Sequence, residues 1–332
     1  EQGYHVIGAT MRLWTYSDSC NMKHEGCCAE SAVEDARRVC DKLGIDFYVM
    51  NFKDMFKDKV VDYFVDEYIH GRTPNPCIAC NKYLKFDALL KKALAMGIDY
   101  VATGHYAKIE KGEDGKYILR ASEAVKKDQS YVLYNFTQEQ LAHTLMPLGG
   151  YNKDWVRQKA EELGLGVAHK PDSQEICFVE DDDYAKFITD YSGYKPKEGD
   201  ILDVNGNVIG KHRGLIYYTI GQRKGIGAYG RPMFVMKIDA ENNTITLGEK
   251  GMEFSNELTA YDVNFVSGEF PKENMLITAK VRYQAPPAAA MLCPQKDGTV
   301  KLMFPEPQRA VTPGQAVVFY DGDIVLGGGT VL

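Results

Sequence analysis

Asp99-Tyr100-Val101-Ala102-Thr103-Gly104-His105-Tyr106 is the stretch that settles how the first half of this chain folds. Residues 100–103 are short and apolar, read as a buried strand, and lead straight into a glycine and a histidine. Working outward, strand-like and helix-like segments alternate. Residues 4–10 read as a strand. Residues 31–43 read as a helix with a capping box, Ser31 and Glu34, and with Gly44 past its end. Residues 47–52 read as the next strand. Residues 56–70 and 82–96 read as amphipathic helices stopped by Gly71 and Gly97, and 154–163 as one more. This βαβα rhythm implies a parallel, doubly wound α/β sheet. Ligands of such sheets bind at the carboxyl ends of the strands, which is where Gly104 and His105 fall.

Beyond about residue 195 the pattern turns all-β. Asn205-Gly206 separates two short apolar runs, a strong hairpin signal. Asn242-Asn243 separates two more, and short runs recur to the end between Gly, Pro and Asp turns. Small barrels fit this spacing. The expected organisation is an α/β domain over 1–195, a central β domain over 196–252 and a carboxy-terminal β-barrel over 253–332.

The 332 residues exceed one ordinary domain, and 45% hydrophobic content is that of a soluble globular protein. No apolar run approaches bilayer length, and Glu1-Gln2-Gly3-Tyr4 does not open a signal peptide. No membrane partner is expected, and the expected location is the cytoplasm. A net charge of −7 argues mildly against nucleic acid, but binding depends on local patches. Those patches are short: Lys126-Lys127, Lys211-His212-Arg213, Arg223-Lys224, and Lys280 with Arg282.

The cysteines carry the chemistry. Eight in a chain this long do not make a disulfide scaffold. Cys77 and Cys80 follow the rigid Thr73-Pro74-Asn75-Pro76 segment, and Cys177 follows Lys170-Pro171-Asp172-Ser173. Polar, partly basic surroundings favour thiolates, hence nucleophiles or metal ligands. A helix starting near Lys82, together with Lys82 and Lys85, would stabilise a thiolate at Cys80. Cysteines that only fill space are the bland alternative. Cys20, His24, Cys27 and Cys28 resemble a metal cluster without a familiar zinc spacing. Gly221-Gln222-Arg223-Lys224-Gly225-Ile226-Gly227 is a glycine-rich basic loop, either a phosphate contact or a charged hairpin.

Several motifs together resemble the tRNA-uridine 2-sulfurtransferases (tRNA-specific 2-thiouridylases). They are Arg72-Thr73-Pro74-Asn75-Pro76 with Cys80-Asn81-Lys82, Ala102-Thr103-Gly104-His105-Tyr106-Ala107, and Lys127-Asp128-Gln129-Ser130-Tyr131. Asp172-Ser173-Gln174 with Ile176-Cys177-Phe178, Tyr218-Thr219-Ile220-Gly221-Gln222-Arg223-Lys224-Gly225 and Thr312-Pro313-Gly314-Gln315-Ala316 complete the set. They run in order over nearly the whole chain.

The resemblance implies an ATP pyrophosphatase-type domain (adenine nucleotide alpha hydrolase-like) followed by a small central β domain and a β-barrel. It implies ATP and Mg2+, adenylation of the C2 oxygen of the wobble uridine at position 34, and displacement of AMP by persulfide sulfur. Cys177 would carry the persulfide and Cys80 would be the nucleophile that releases sulfur, with disulfide chemistry implied. Met11 and Gly104 would line the adenosine site. Asn75, Pro76 and Cys77 would face the target base. His105, Lys127, Asp128, Gln129, Arg282, Tyr283 and Gln315 would contact tRNA. The implied partners are the Lys, Glu and Gln isoacceptors and a cysteine desulfurase or sulfur relay protein.

Two features depart from the family pattern. Its Ser-Gly-Gly-Val-Asp-Ser phosphate loop does not occur in this sequence, and we expect it upstream of Glu1. Position 77, usually aspartate, is cysteine. Cys77, Cys80 and Cys177 would then be the ligands of a [4Fe–4S] cluster with one open iron, which replaces the persulfide relay and gives the extra cysteine a use. A tRNA-binding protein without catalysis, or an ATP pyrophosphatase acting on a small amide, are the alternative functions.

Overall fold

The computed structural model describes residues 3–14, 30–124, 127–170, 176–179 and 182–332. In the α/β half, the strand Gly8–Arg12 pairs in parallel with Phe47–Asn51, Met11 opposite Met50. Parallel neighbours need a crossover, and the helix Glu30–Leu43 lies between them in sequence, with Gly44 at φ +67° just after it. Ser31 sits inside its first turn rather than capping it. A second parallel pair joins Val101–Ala102 to Thr144–Leu145.

Two long helices pack against these strands, the first on Met11 and Met50 and the second on Val101. One runs through Lys53–Phe56, Lys57–Asp62 and Tyr63–Ile69; the other through Pro76–Ala79, Cys80–Ala88 and Leu89–Ala95. Lys57–Asp62 and Cys80–Ala88 are wound with the wider π spacing, which is frequent at functional sites. The sequence reading starts the second helix at 82, but the structure starts it at Pro76. The Asn75 side-chain oxygen accepts from the backbone N–H groups of Cys77 at 3.1 Å and Ile78 at 3.3 Å. Asparagine at the cap with proline at the first position is a helix start, so the two prolines mark a helix entry and not only a rigid loop.

In the β half, Val208–His212, Gly199–Leu202, Thr244–Glu249 and Met233–Asp239 lie in that order in a four-stranded sheet. Asn205-Gly206 turns its first hairpin, and Asn243 at φ +51° the second. Six further strands follow the order Phe254–Phe265, Val300–Arg309, Ala288–Pro294, Met275–Lys280, Ala316–Asp321 and Ile324–Val331. The first also pairs with the last, which closes a barrel and removes the open edges.

A hairpin of Ala107–Lys111 and Tyr117–Ala121 extends this barrel sheet through the Arg120–Ile324 pairing. It belongs in sequence to the α/β half, and only its short alternation around Gly112 and Gly115 signals it. An apolar cluster containing Ile78, Phe86, Tyr131, Tyr134, Val318 and Tyr320 packs the cysteine-bearing helix against the barrel. No helix among the described residues is long and apolar enough to cross a membrane.

Candidate functional site

Cys80 and Cys177 both belong to the packing of one core cluster. Cys80 is buried within the core cluster of the α/β half, and Cys177, half-buried, packs against that same cluster. Phe178 does the anchoring. It is 1% exposed, with ring centroids 5.6 Å from Phe56, 5.3 Å from Phe64 and 5.2 Å from Phe187. Edge-on contacts of this kind add to the burial of a large ring, so Phe178 fixes the chain at the residue after Cys177. Met11 and Met50, from the first strand pair, also pack against this cluster.

Cys77 behaves differently. It sits one turn before Cys80 on the same helix, yet it is exposed while Cys80 is buried. Among the described residues, no group of three or more His, Cys, Asp or Glu side chains is gathered to hold a metal. Cys77 faces outward at the helix start and the other two belong to the core. Cys20, His24, Cys27 and Cys28 lie outside the described residues, as do Lys126 and Asp172, Ser173 and Gln174.

The lysines expected to serve Cys80 point elsewhere. Lys82 donates to Asp262 at 2.6 Å, and Asp262 is held at φ +47° within an irregular stretch of barrel strand. Burial pulls the Lys82 pKa down, but the bond to Asp262 outweighs it and the ammonium is held above its ordinary value. Lys85 lies beside His105. Cys80 lies one turn inside the helix that starts at Pro76.

The loop before that helix is clasped from the barrel. Thr73 N–H donates to the Pro313 carbonyl at 2.9 Å, and the Gln315 side-chain amide donates to the Thr73 carbonyl at 2.8 Å. Arg72 meets the buried carboxylate of Glu67 with two nitrogens, Nε donating at 2.9 Å. Gly314, at φ +86°, comes so close that a Cβ there would lie 2.9 Å from the Thr73 nitrogen. Pro76 is buried and the Asn75 side chain caps the helix, so of the three residues expected at the target base Cys77 is the exposed one.

The Lys127-Asp128-Gln129 segment is a built turn. Asp128 accepts from Ser122 N–H at 3.0 Å and from the Ser130 hydroxyl at 2.8 Å, and Gln129 accepts from Tyr106 N–H at 3.0 Å. From the barrel, Tyr283 donates its hydroxyl to the Asp128 carbonyl at 3.0 Å, and its ring meets Tyr131 edge-on at 5.7 Å. Lys280 stands 5.8 Å from the Tyr283 ring and 5.9 Å from that of Tyr131, within cation–π range.

Burial, then Asp128, raise the Tyr283 pKa; Lys127 opposes them, and Cys77 is close enough to add to the rise. Burial raises the Tyr131 pKa, and Arg282 lies near enough to oppose that rise. Thus Cys77, Lys127, Asp128, Lys280, Arg282 and Tyr283 share one face of cations and aromatic rings. Lys280 is the addition to the expected set, and its place next to Arg282 was the signal for it.

His105 is a neutral member of the site. Its Nδ1 is 2.8 Å from the Thr103 hydroxyl and its ring lies 5.6 Å from Phe86. Burial, then the Lys85 ammonium, lower its pKa to about 3. Gly104 is exposed after the strand Val101–Ala102, and a Cβ there would meet only Leu148, at 3.7 Å. Gly104 and Met11 both lie at carboxyl ends of parallel strands, the position where such sheets take nucleotides.

A parallel α/β unit with two thiols in one core, joined to a four-stranded sheet and a closed barrel, defines a class of enzyme built from a nucleotide domain and two β modules. The comparisons agree. Residues 1–181 match the family model described as the tRNA methyl transferase HUP domain, 185–249 the tRNA methyl transferase PRC-barrel domain, and 255–331 the aminomethyltransferase beta-barrel domain.

The chain is 58% identical over 334 residues to the tRNA-specific 2-thiouridylase MnmA of Acetivibrio thermocellus, covering 100% of this chain and 93% of that protein. It is 56% identical over 333 residues to the tRNA-specific 2-thiouridylase MnmA of Clostridioides difficile, covering 100% and 92%. The domain descriptions speak of methyl transfer and the full-length relatives of thiolation. The full-length match decides between them, and the chain belongs to the tRNA-specific 2-thiouridylase family.

Proposed function

We propose that this protein converts the wobble uridine of tRNA, position 34, to 2-thiouridine. ATP activates the C2 oxygen as an adenylate, with Mg2+ as its counter-ion, in a pocket that includes Met11 and Gly104. The terminal sulfur of a persulfide on Cys177 attacks C2, and AMP leaves with the oxygen. The Cys80 thiolate attacks the sulfur still bound to Cys177, so the S–S bond to the transferred atom breaks and a Cys80–Cys177 disulfide forms. A reductant then restores both thiols. The persulfide is supplied by a cysteine desulfurase or a sulfur relay protein in the cytoplasm, and the substrates are the Lys, Glu and Gln isoacceptors.

The observation that carries this reading is the meeting of Cys80 and Cys177 at one core cluster, 97 positions apart in sequence. The burial of Cys80 and the exposure of Cys77 support the relay, with Cys77 outside it. Family membership supports tRNA as the substrate. The test is thiolation of tRNA by the full-length protein with ATP and a sulfur donor. Wild type should form 2-thiouridine, and Cys80→Ser and Cys177→Ser should each form none. Full activity in either variant would remove that residue from the route.

A further inference from the structure

The glycine-rich loop of the central sheet has no part in the chemistry above. It borders a cavity of about 350 Å³, at the small end of the range for ligand sites. Arg223, Gly227, Tyr229, Arg231 and Met233 are among its walls. Arg231 is shared with Glu249 at 2.7 Å. Arg223 and Lys224 are exposed, and among the described residues their side chains make no ion pair or hydrogen bond. Two uncompensated cations beside a concave surface, in a chain of net charge −7, call for an anionic partner.

The loop is held ready for one. The Gln222 side chain accepts from Thr219 N–H at 2.9 Å and donates to the carbonyls of Tyr217 at 3.2 Å and Lys224 at 2.9 Å. Gly225 at φ +75° and Gly227 at φ +99° keep the backbone bare where other residues would be strained. Such bare turns let phosphate approach backbone N–H groups. The loop also sits at a junction. The Tyr184 hydroxyl of the α/β half bonds to Thr219, and a Cβ at Gly221 would lie 2.6 Å from the Ala310 side chain of the barrel.

We propose that this loop is a second tRNA contact, in which Arg223 and Lys224 bind backbone phosphates away from the uridine being thiolated. The proposal rests on the function proposed above. It gives the central sheet a role in holding the body of the tRNA while the anticodon enters the cysteine site. The same phosphate chemistry could serve a small anion, and the experiment separates the two.

The test compares wild type with the Arg223→Ala/Lys224→Ala double variant, using full-length tRNA across a range of salt and, separately, inorganic phosphate and ATP by calorimetry. Both side chains are exposed, and an unchanged melting curve will confirm folding. We expect the variant to lose roughly tenfold in tRNA affinity at low salt, and its slope of log affinity against log salt to shrink by about two. ATP binding should be unchanged. A variant that binds tRNA with wild-type affinity and slope overturns the proposal alone. Loss of phosphate or ATP binding with tRNA binding intact overturns it in favour of a small-anion site. A wild type that does not bind tRNA overturns the function reading, and this proposal with it.

Discussion

The side-chain amide of Gln315 donates to the carbonyl of Thr73 at 2.8 Å, across 242 positions of sequence. This bond, with the Thr73 to Pro313 bond beside it, ties the barrel to the loop that opens the Cys80 helix. The barrel is therefore part of what positions Cys80.

The tightest point of that clasp is Gly314, and Gly314→Ala should break it. A side chain there meets the Thr73 nitrogen and the Arg72 Cβ, at a φ that L residues avoid. We expect a loss of about 2 kcal/mol or more in stability by chemical denaturation, with reduced thiolation. Gln315→Ala should cost about 1 kcal/mol. Wild-type melting in Gly314→Ala would show the clasp to be unimportant.

Phe178→Ala tests the anchor beside Cys177. Removing a ring that is 1% exposed should cost about 3–5 kcal/mol. Thiolation should fall even at temperatures where the variant stays folded, because the Cys177 segment loses its fixed point. Phe178→Leu should recover much of both. If activity survived whenever the variant was folded, the position of Cys177 would not depend on this ring.

His105 gives a prediction in pH. Its pKa is about 3 folded and near 6.5 unfolded, so between these values the unfolded state binds one proton more. Stability therefore rises with pH in this window, and it falls as pH drops from 6.5 toward 3. His105 contributes at most about 1.4 kcal/mol per pH unit there and nothing above it. NMR should show the His105 ring not titrating between pH 8 and 5, and His105→Gln should flatten the acid limb of the stability curve. An imidazole titrating near 6.5 would contradict its placement against Thr103 and Phe86.

On the cationic face, Arg282→Ala and Lys127→Ala should each weaken tRNA binding without unfolding the protein. Each should reduce the salt slope by about one phosphate contact. His105→Ala should lower affinity with the slope unchanged, since a neutral ring releases no counterion. Salt-independent binding by the wild type would contradict the assignment of this face.

Much of this was legible from pattern. The turns at Asn205-Gly206 and Asn242-Asn243, and the helix ends at Gly44, Gly71 and Gly97, follow from backbone preferences that act within a few residues. The start of the Cys80 helix was equally local, since Asn75 followed by Pro76 is a cap, but the proline pair also fits a rigid loop. What the chain did not disclose was long-range. The partner of Lys82 is Asp262, 180 positions away. The 107–121 hairpin looks like part of the α/β half until Arg120 meets Ile324. Whether Cys77 shares a site with Cys80 depends on which side of the helix the core lies. Spacing alone treats the three cysteines alike, and packing buries Cys80 while it leaves Cys77 exposed.

The central claim is that sulfur reaches tRNA through Cys177 and Cys80 without a metal cluster, leaving Cys77 a neighbour of the base. The most direct measurement is anaerobic purification, with iron and sulfide analysis and mass spectrometry of the Cys177 peptide before and after one turnover with tRNA. We predict an iron-free protein that thiolates tRNA. The Cys177 peptide should carry one extra sulfur that disappears on turnover, and Cys77→Ser should keep substantial activity. An iron- and sulfide-containing protein whose cluster and activity vanish together in Cys77→Ser would contradict the account.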